Sequence, residues 1–163
     1  MTADFSKGTA WMDGEIVPVS EAKISVLDWG FTRSDCTYDV ASVRNGAFFR
    51  LNDYLERFQQ SLAKVRIEVP QKTDEMRDIV ARSGLRDSYV AMVASRGVPL
   101  IAGTRDPRQC GNHFFAWCIP YVHVIRPEIA ARGAHLFVPE DVRRIPPDSV
   151  DPTAKNYHWG DLT

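Results

Sequence analysis

The sequence predicts an α+β fold: an N-terminal α/β two-layer sandwich domain followed by the beginning of a second domain. Three observations predict it. Two Asx-Gly dipeptides sit between strand-length runs, helical apolar stripes follow them, and two further apolar segments of strand length come after the helices. Hairpins first, then helices returning onto the strands, favour a sheet covered by helices over a doubly wound parallel sheet. The chain also lacks the Gly-rich phosphate loops of the dinucleotide and Walker types.

Taken in order, Thr9 to Met12 and Glu15 to Val19 flank Asp13-Gly14, a dipeptide with easy access to positive φ, as a type I′ hairpin turn requires. Cys36 to Arg44 is rich in strand formers, and Asn45-Gly46 turns it into Ala47 to Leu51 as a second hairpin. Asn52 is placed to cap a helix in which Leu55, Phe58, Leu62 and Val65 form one apolar stripe. A shorter helix is expected from a Thr73 cap to Gly84, which is placed to end it. Ser88 to Ser95 and His113 to Ile119 read as strands joined by a long loop, Arg96 to Asn112, and a loop of that length is more often functional than idle. Residues 1–120 thus read as one domain, 121–132 as a linker bracketed by Pro120 and Pro127, and 133–163 as the start of another. In that last part Ala134 to Val138 is expected as a strand and Arg143 to Pro152 as loop.

The 20 basic and 21 acidic side chains leave a net charge of -1 with no run of one sign. A nucleic-acid or anionic-membrane footprint should show as a basic stripe, and none is visible. Cys36, Cys110 and Cys118 lack the close Cys or His pairing of a zinc site. No apolar run approaches the ~20 residues that span a bilayer, so a cytoplasmic protein is expected.

Only five of the basic residues are lysines, which draws attention to Lys155, among Pro152, Tyr157 and Trp159. On spacing alone it is either a surface charge with a packed stem or a nucleophile, and a lysine attacks carbonyl carbon only where its free amine is exposed by desolvation or a nearby cation. Arg57 lies off the apolar stripe of its helix, either facing solvent or serving as a bidentate phosphate ligand. Tyr38 and Val40 alternate on one strand, and Arg33 precedes them in a turn-like stretch. His113, His123, His135 and His158 form no ligand pattern.

Four blocks follow in order: Ile24-Ser-Val-Leu-Asp-Trp-Gly-Phe31, Ser34-Asp35-x-x-Tyr38-Asp-Val40, Phe49-Arg-Leu-Asn-Asp-Tyr-Leu-Glu-Arg57 and Asp151-Pro-x-x-Lys155-Asn. Together they resemble the ordered signature of the class IV (fold-type IV) aminotransferases, a family that includes branched-chain and D-amino-acid aminotransferases, aminodeoxychorismate lyase and (R)-selective amine transaminases. Thr37 to Val43, and Arg143 to Pro147 through Trp159 to Leu162, look most like the amine transaminases.

The resemblance implies a pyridoxal 5'-phosphate enzyme that moves an amino group from a primary amine or amino acid to a keto acid. Lys155 would form the Schiff base and Arg57 would bind the cofactor phosphate. Tyr38, Val40, Tyr157 and Trp159 would line the pocket, and Arg33 would stand where relatives carry Tyr or His. Arg105, on the long loop, would meet a substrate carboxylate. Family members pair as homodimers and take an acidic partner for the pyridine nitrogen from a second domain. The chain ends eight residues after Lys155, so a partial chain is expected, with a non-catalytic binding or dimerisation module as the alternative.

Overall fold

The computed structural model describes residues 4–70 and 73–158. Strands β1 (Thr9–Met12) and β2 (Glu15–Pro18) pair in the expected hairpin, with Asp13 at φ 50° and Gly14 at φ 96°, both positive as a type I′ turn demands. A short helix α1 (Trp29–Thr32), which the sequence pattern does not announce, starts where the Asp28 carboxylate accepts from the Gly30 amide. Strand β3 (Cys36–Arg44) turns through Asn45-Gly46 into β4 (Ala47–Phe48), shorter than expected because the chain leaves the sheet to enter helix α2 (Leu51–Val65). Helix α3 (Thr73–Ser83) stops at Gly84, φ 65°. Strands β5 (Ser88–Pro99) and β6 (Cys110–Pro120) follow, then a single turn, α4 (Pro127–Ala130). The sheet runs β2-β1-β6-β5-β3-β4, and every pairing is antiparallel.

Helices α2 and α3 cover one face of this sheet. Leu55, Phe58 and Leu62 of α2 and Met76, Ile79 and Val80 of α3 meet Ala41 and Val43 of β3, Val90 and Met92 of β5 and Phe114 and Ala116 of β6. Burying a side chain such as Phe58 or Leu62 contributes about 1.5–3 kcal/mol, so the helical stripe and the strand alternation stabilise one common core. The opposite face carries Tyr38, Val93, Phe115 and Trp117, partly roofed by α1 and by Tyr157.

Four expectations need correction. The cap of α2 is Arg50, in the left-handed conformation at φ 50° and with no side-chain bond to the first amides of the helix, so Asn52 lies inside the helix. Thr73 likewise is the first residue of α3 and not its cap. The loop predicted over Arg96 to Asn112 is shorter, because both of its ends belong to strands. A bulge between Ser95 and Val98 carries the β5–β6 ladder past Arg96 to Pro99, leaving ten residues outside it. Gly97 makes the bulge possible: its φ is 79°, and a Cβ there would sit 1.6 Å from the carbonyl oxygen of Gly111. The expected strand Ala134 to Val138 has no regular structure, and Leu136 and Phe137 are 90% and 85% exposed. An apolar run becomes a strand only when a neighbour takes its backbone N–H and C=O groups, and none does so here among the described residues.

Candidate functional site

The open edge of β3 places Lys155. The Tyr38 amide, unused by β5, donates to the Lys155 carbonyl at 3.1 Å, and the Thr37 hydroxyl donates to the same oxygen at 2.5 Å. Tyr38 is 5% exposed and its ring stacks on that of Tyr157, centroids 4.1 Å apart and 5° from parallel. Lys155 Nζ stands 4.7 Å from the Tyr38 ring centre, a cation–π contact. Lys155 lines a cavity of about 260 Å³ together with Tyr38, Arg144, Asn156 and His158.

The turn before the lysine is anchored to α2. Asp151 accepts from the Thr153 amide (2.8 Å) and hydroxyl (2.5 Å), and Lys64, in the last turn of α2, pairs with Asp151 at 3.2 Å and bonds Thr153. The Thr153 bonds, helped by Lys64, hold the Asp151 carboxyl down at about 2.

Arg57 reaches β3 from the other side. Its Nε donates to Asp39 Oδ2 at 2.7 Å and its Nη2 to Oδ1 at 2.5 Å, while Tyr54 lies 5.1 Å from the guanidinium carbon. The bond to Asp39 raises the Arg57 pKa above its ordinary value. Asp39 is fully buried, but half of the arginine side chain remains exposed. Tyr38 and Asp39 are consecutive, so the amine and the guanidinium converge on neighbouring residues of one strand. Strand alternation turns those two side chains to opposite faces, and Arg57 is not part of the wall of the Lys155 cavity.

Of the other predicted residues, Tyr157 joins the site through its stack on Tyr38, and burial pushes its phenol pKa upward. Val40, two positions beyond Tyr38, shares that residue's face of β3 and is half-buried. Arg33 lies 3.4 Å over the Trp29 ring and lines a neighbouring depression of about 410 Å³ that shares Ala154, Asn156 and His158 with the Lys155 cavity. Arg105 is exposed on the loop between β5 and β6 and does not line the Lys155 cavity. Trp159 lies outside the described residues.

Sequence reasoning missed two groups. Asp39 has a visible signal, a charged residue on the core-facing phase of a strand otherwise made of Thr37, Ala41 and Val43. The second is Asp28, 1% exposed, which accepts from Ser95 Oγ at 2.8 Å and lies 3.8 Å from His113 Nδ1. Burial pushes the Asp28 carboxyl up, but His113, Ser95 and Gly30 outweigh it and leave the pKa lowered. No spacing singles out His113, because its partners lie far away in sequence. Among the described residues no cluster of His, Cys, Asp and Glu could hold a metal ion, and no helix is long and apolar enough to cross a membrane.

No family model matches the chain. In sequence it is 29% identical over 154 residues to a putative branched-chain-amino-acid aminotransferase of Methanocaldococcus jannaschii, covering 91% of this chain and 51% of that protein. It is 28% identical over 152 residues to a D-alanine aminotransferase of Listeria monocytogenes, covering 91% of this chain and 47% of the relative. In structure, the branched-chain aminotransferase of the thermophilic archaeon Thermoproteus uzoniensis with norvaline matches at TM-score 0.60 and 24% identity, over 70% of this chain and 41% of that one. The Escherichia coli branched-chain enzyme matches at TM-score 0.64 and 19% identity, over 78% and 43%. The chain spans about half the length of the curated relatives it matches. Over that half it is a homologue of the branched-chain and D-alanine aminotransferases and carries the fold of the fold-type IV branched-chain enzymes.

Proposed function

We propose that the protein is a pyridoxal-phosphate-dependent aminotransferase, moving an amino group from a primary amine or amino acid to a keto acid. The observation that carries this reading is that two cationic side chains reach consecutive residues of β3 from its two faces: the Lys155 amine against Tyr38, and the Arg57 guanidinium on Asp39. A primary amine suits an aldehyde and a half-exposed guanidinium suits a phosphate, so the residues fit this cofactor in kind. When bound, the cofactor supplies the aldehyde carbon and an electron-withdrawing ring.

The protein's own part is binding, orientation and proton handling. Lys155 Nζ would hold the cofactor by condensing with its aldehyde carbon, releasing water, and, when the donor amine takes its place, would move a proton from the substrate α-carbon to that carbon as general base. Arg57 holds the phosphate, since a small misplacement at the reacting end costs ~100-fold in rate. Tyr38 and Tyr157 wall one side against water. Val40 and Arg33 would complete the proposed pocket, and Arg105 lies outside the wall of the Lys155 cavity. The segment 121–132 would lead into a second domain, and the protein would work as a cytoplasmic homodimer. The dimer is supported by exposed Val26, Leu27, Phe31 and Leu100, and the compartment by three free, buried cysteines.

For substrate, a small chiral amine of (R) configuration with pyruvate as acceptor is the first expectation, from the Thr37 to Val43 strand. Branched-chain and D-amino acids are the second, favoured by the names of the relatives. Assaying the full-length protein with (R)-amines, branched-chain amino acids and D-alanine in parallel tests both. Turnover of branched-chain amino acids alone would refute the amine assignment, and turnover of none would refute the aminotransferase.

A further inference from the structure

Asp39 occupies a position that ordinary strand patterning leaves apolar. It faces α2 with Thr37, Ala41 and Val43 and has no exposed surface. A carboxylate buried there requires partners for both oxygens. It has them: Oδ1 accepts from the Val40 amide at 2.6 Å and from Arg57 Nη2 at 2.5 Å, and Oδ2 accepts from Arg57 Nε at 2.7 Å. A guanidinium carries five N–H groups in a rigid plane. Asp39 takes two of them along one edge. Three N–H groups are left, on a side chain that is 51% exposed.

We propose that Asp39 is a positioning residue: it locks the plane of Arg57 before any ligand arrives, so that the free edge is presented to the phosphate of the cofactor. The proposal rests on the reading of Arg57 as the phosphate ligand. A merely structural ion pair makes a different prediction. Asp39 is an anion close to the bound phosphate, so on charge alone its removal would tighten phosphate binding. Positioning predicts the reverse sign.

The test uses the cofactor-free full-length protein and compares dissociation constants for pyridoxal 5'-phosphate and for pyridoxal, which lacks the phosphate, by quenching of intrinsic fluorescence. D39N is isosteric and keeps one acceptor. It is expected to weaken pyridoxal 5'-phosphate about tenfold, as loss of a charge-assisted bond implies, while leaving pyridoxal unchanged, and D39E is expected to recover part of the loss. R57A is expected to abolish the preference for the phosphorylated ligand. If R57A keeps that preference, the reading of Arg57 is wrong. If R57A loses it while D39N binds as tightly as the parent or more tightly, Arg57 stands and positioning by Asp39 is overturned. A second measurement needs no variant. In cofactor-free protein the Arg57 Nε–H should give a resolved, slowly exchanging 15N–1H signal, and a rapidly exchanging one would overturn the proposal even where D39N failed to fold.

Discussion

The side-chain nitrogen of Lys155 stands 4.7 Å from the centre of the Tyr38 ring, and the carbonyl of the same lysine accepts from the Tyr38 amide at 3.1 Å. One strand residue therefore fixes both the backbone and the amine of the lysine. Tyr38→Ala removes the ring that Lys155 and Tyr157 rest on and opens a void at a site only 5% exposed. The expected cost is about 3–5 kcal/mol, the range for deleting a buried aromatic ring, read as a lower urea midpoint. Tyr38→Phe keeps the stack and should cost clearly less than Tyr38→Ala. Equal losses in the two variants would show that the hydroxyl, not the ring, matters.

Covalent capture of an aldehyde separates Lys155 from the other lysines. Borohydride reduction of the full-length protein with pyridoxal 5'-phosphate, followed by peptide mass spectrometry, should place the label on Lys155. In Lys155→Ala that label should vanish while the melting temperature falls only slightly, since the hydrogen bonds between Lys155 and the strand are accepted by its backbone carbonyl. Equal labelling of Lys64 and Lys155 would remove the case for a dedicated amine.

Arg96 closes the end of α2. It is 8% exposed, donates to the Val65 and Arg66 carbonyls at 2.6 Å each, and pairs with Asp35 at 2.9 and 3.1 Å. A cation on the last carbonyls of a helix satisfies orphan acceptors and opposes the negative end of the dipole. Arg96→Met should destabilise the chain by roughly 1–3 kcal/mol, because it leaves the Val65 and Arg66 carbonyls and the Asp35 carboxylate without these charge-assisted bonds. Hydrogen exchange should rise first in the last turn of α2 and in the Ile67 amide, which bonds the Leu62 carbonyl. Uniform acceleration over the whole sheet would argue against a local cap.

How legible each part was depended on whether its cause is local. Asp13-Gly14 and Asn45-Gly46 carry their turns in their own φ preferences, and the stripe Leu55, Phe58, Leu62 carries its helix in its spacing. The bulge at Gly97 and the role of Arg96 could not be read that way, because both depend on Gly111 and on the end of α2, which come near only on folding. Ala134 to Val138 has strand composition but no strand neighbour among the described residues, so propensity alone misleads there. For the site, the ordered blocks held Lys155 and Tyr38 and the resemblance they carry implied Tyr157; the Tyr38 ring touches both the Lys155 amine and the Tyr157 ring. It did not show that Arg57 would be held by Asp39, since an i to i+18 contact between helix and strand leaves no trace in periodicity.

The pH dependence of stability should carry the mark of His113. Asp28, 3.8 Å from Nδ1, holds the imidazole above its ordinary value against the opposing push of burial, and Asp13 adds to it. Asp13 lies 3.0 Å from Nε2, an ionic contact without hydrogen-bond alignment. A group whose pKa is raised on folding stabilises fully below its unfolded value, about 6.5 for histidine, and that contribution is lost as pH rises through the folded value. Asp28 has the opposite sign: its lowered pKa stabilises above the unfolded carboxylate value and is lost as pH falls through the folded one. Both contributions are complete only between those limits. Urea unfolding at roughly pH 5.5 and pH 8.5 should therefore show the parent losing stability toward the higher pH, and His113→Gln losing clearly less. Because the imidazole ties the β1–β2 turn to the cap of α1, the parent's loss should also appear as faster exchange of the Gly30 amide, which bonds Asp28. Identical pH slopes in parent and variant would mean that the imidazole contributes by packing and not by charge.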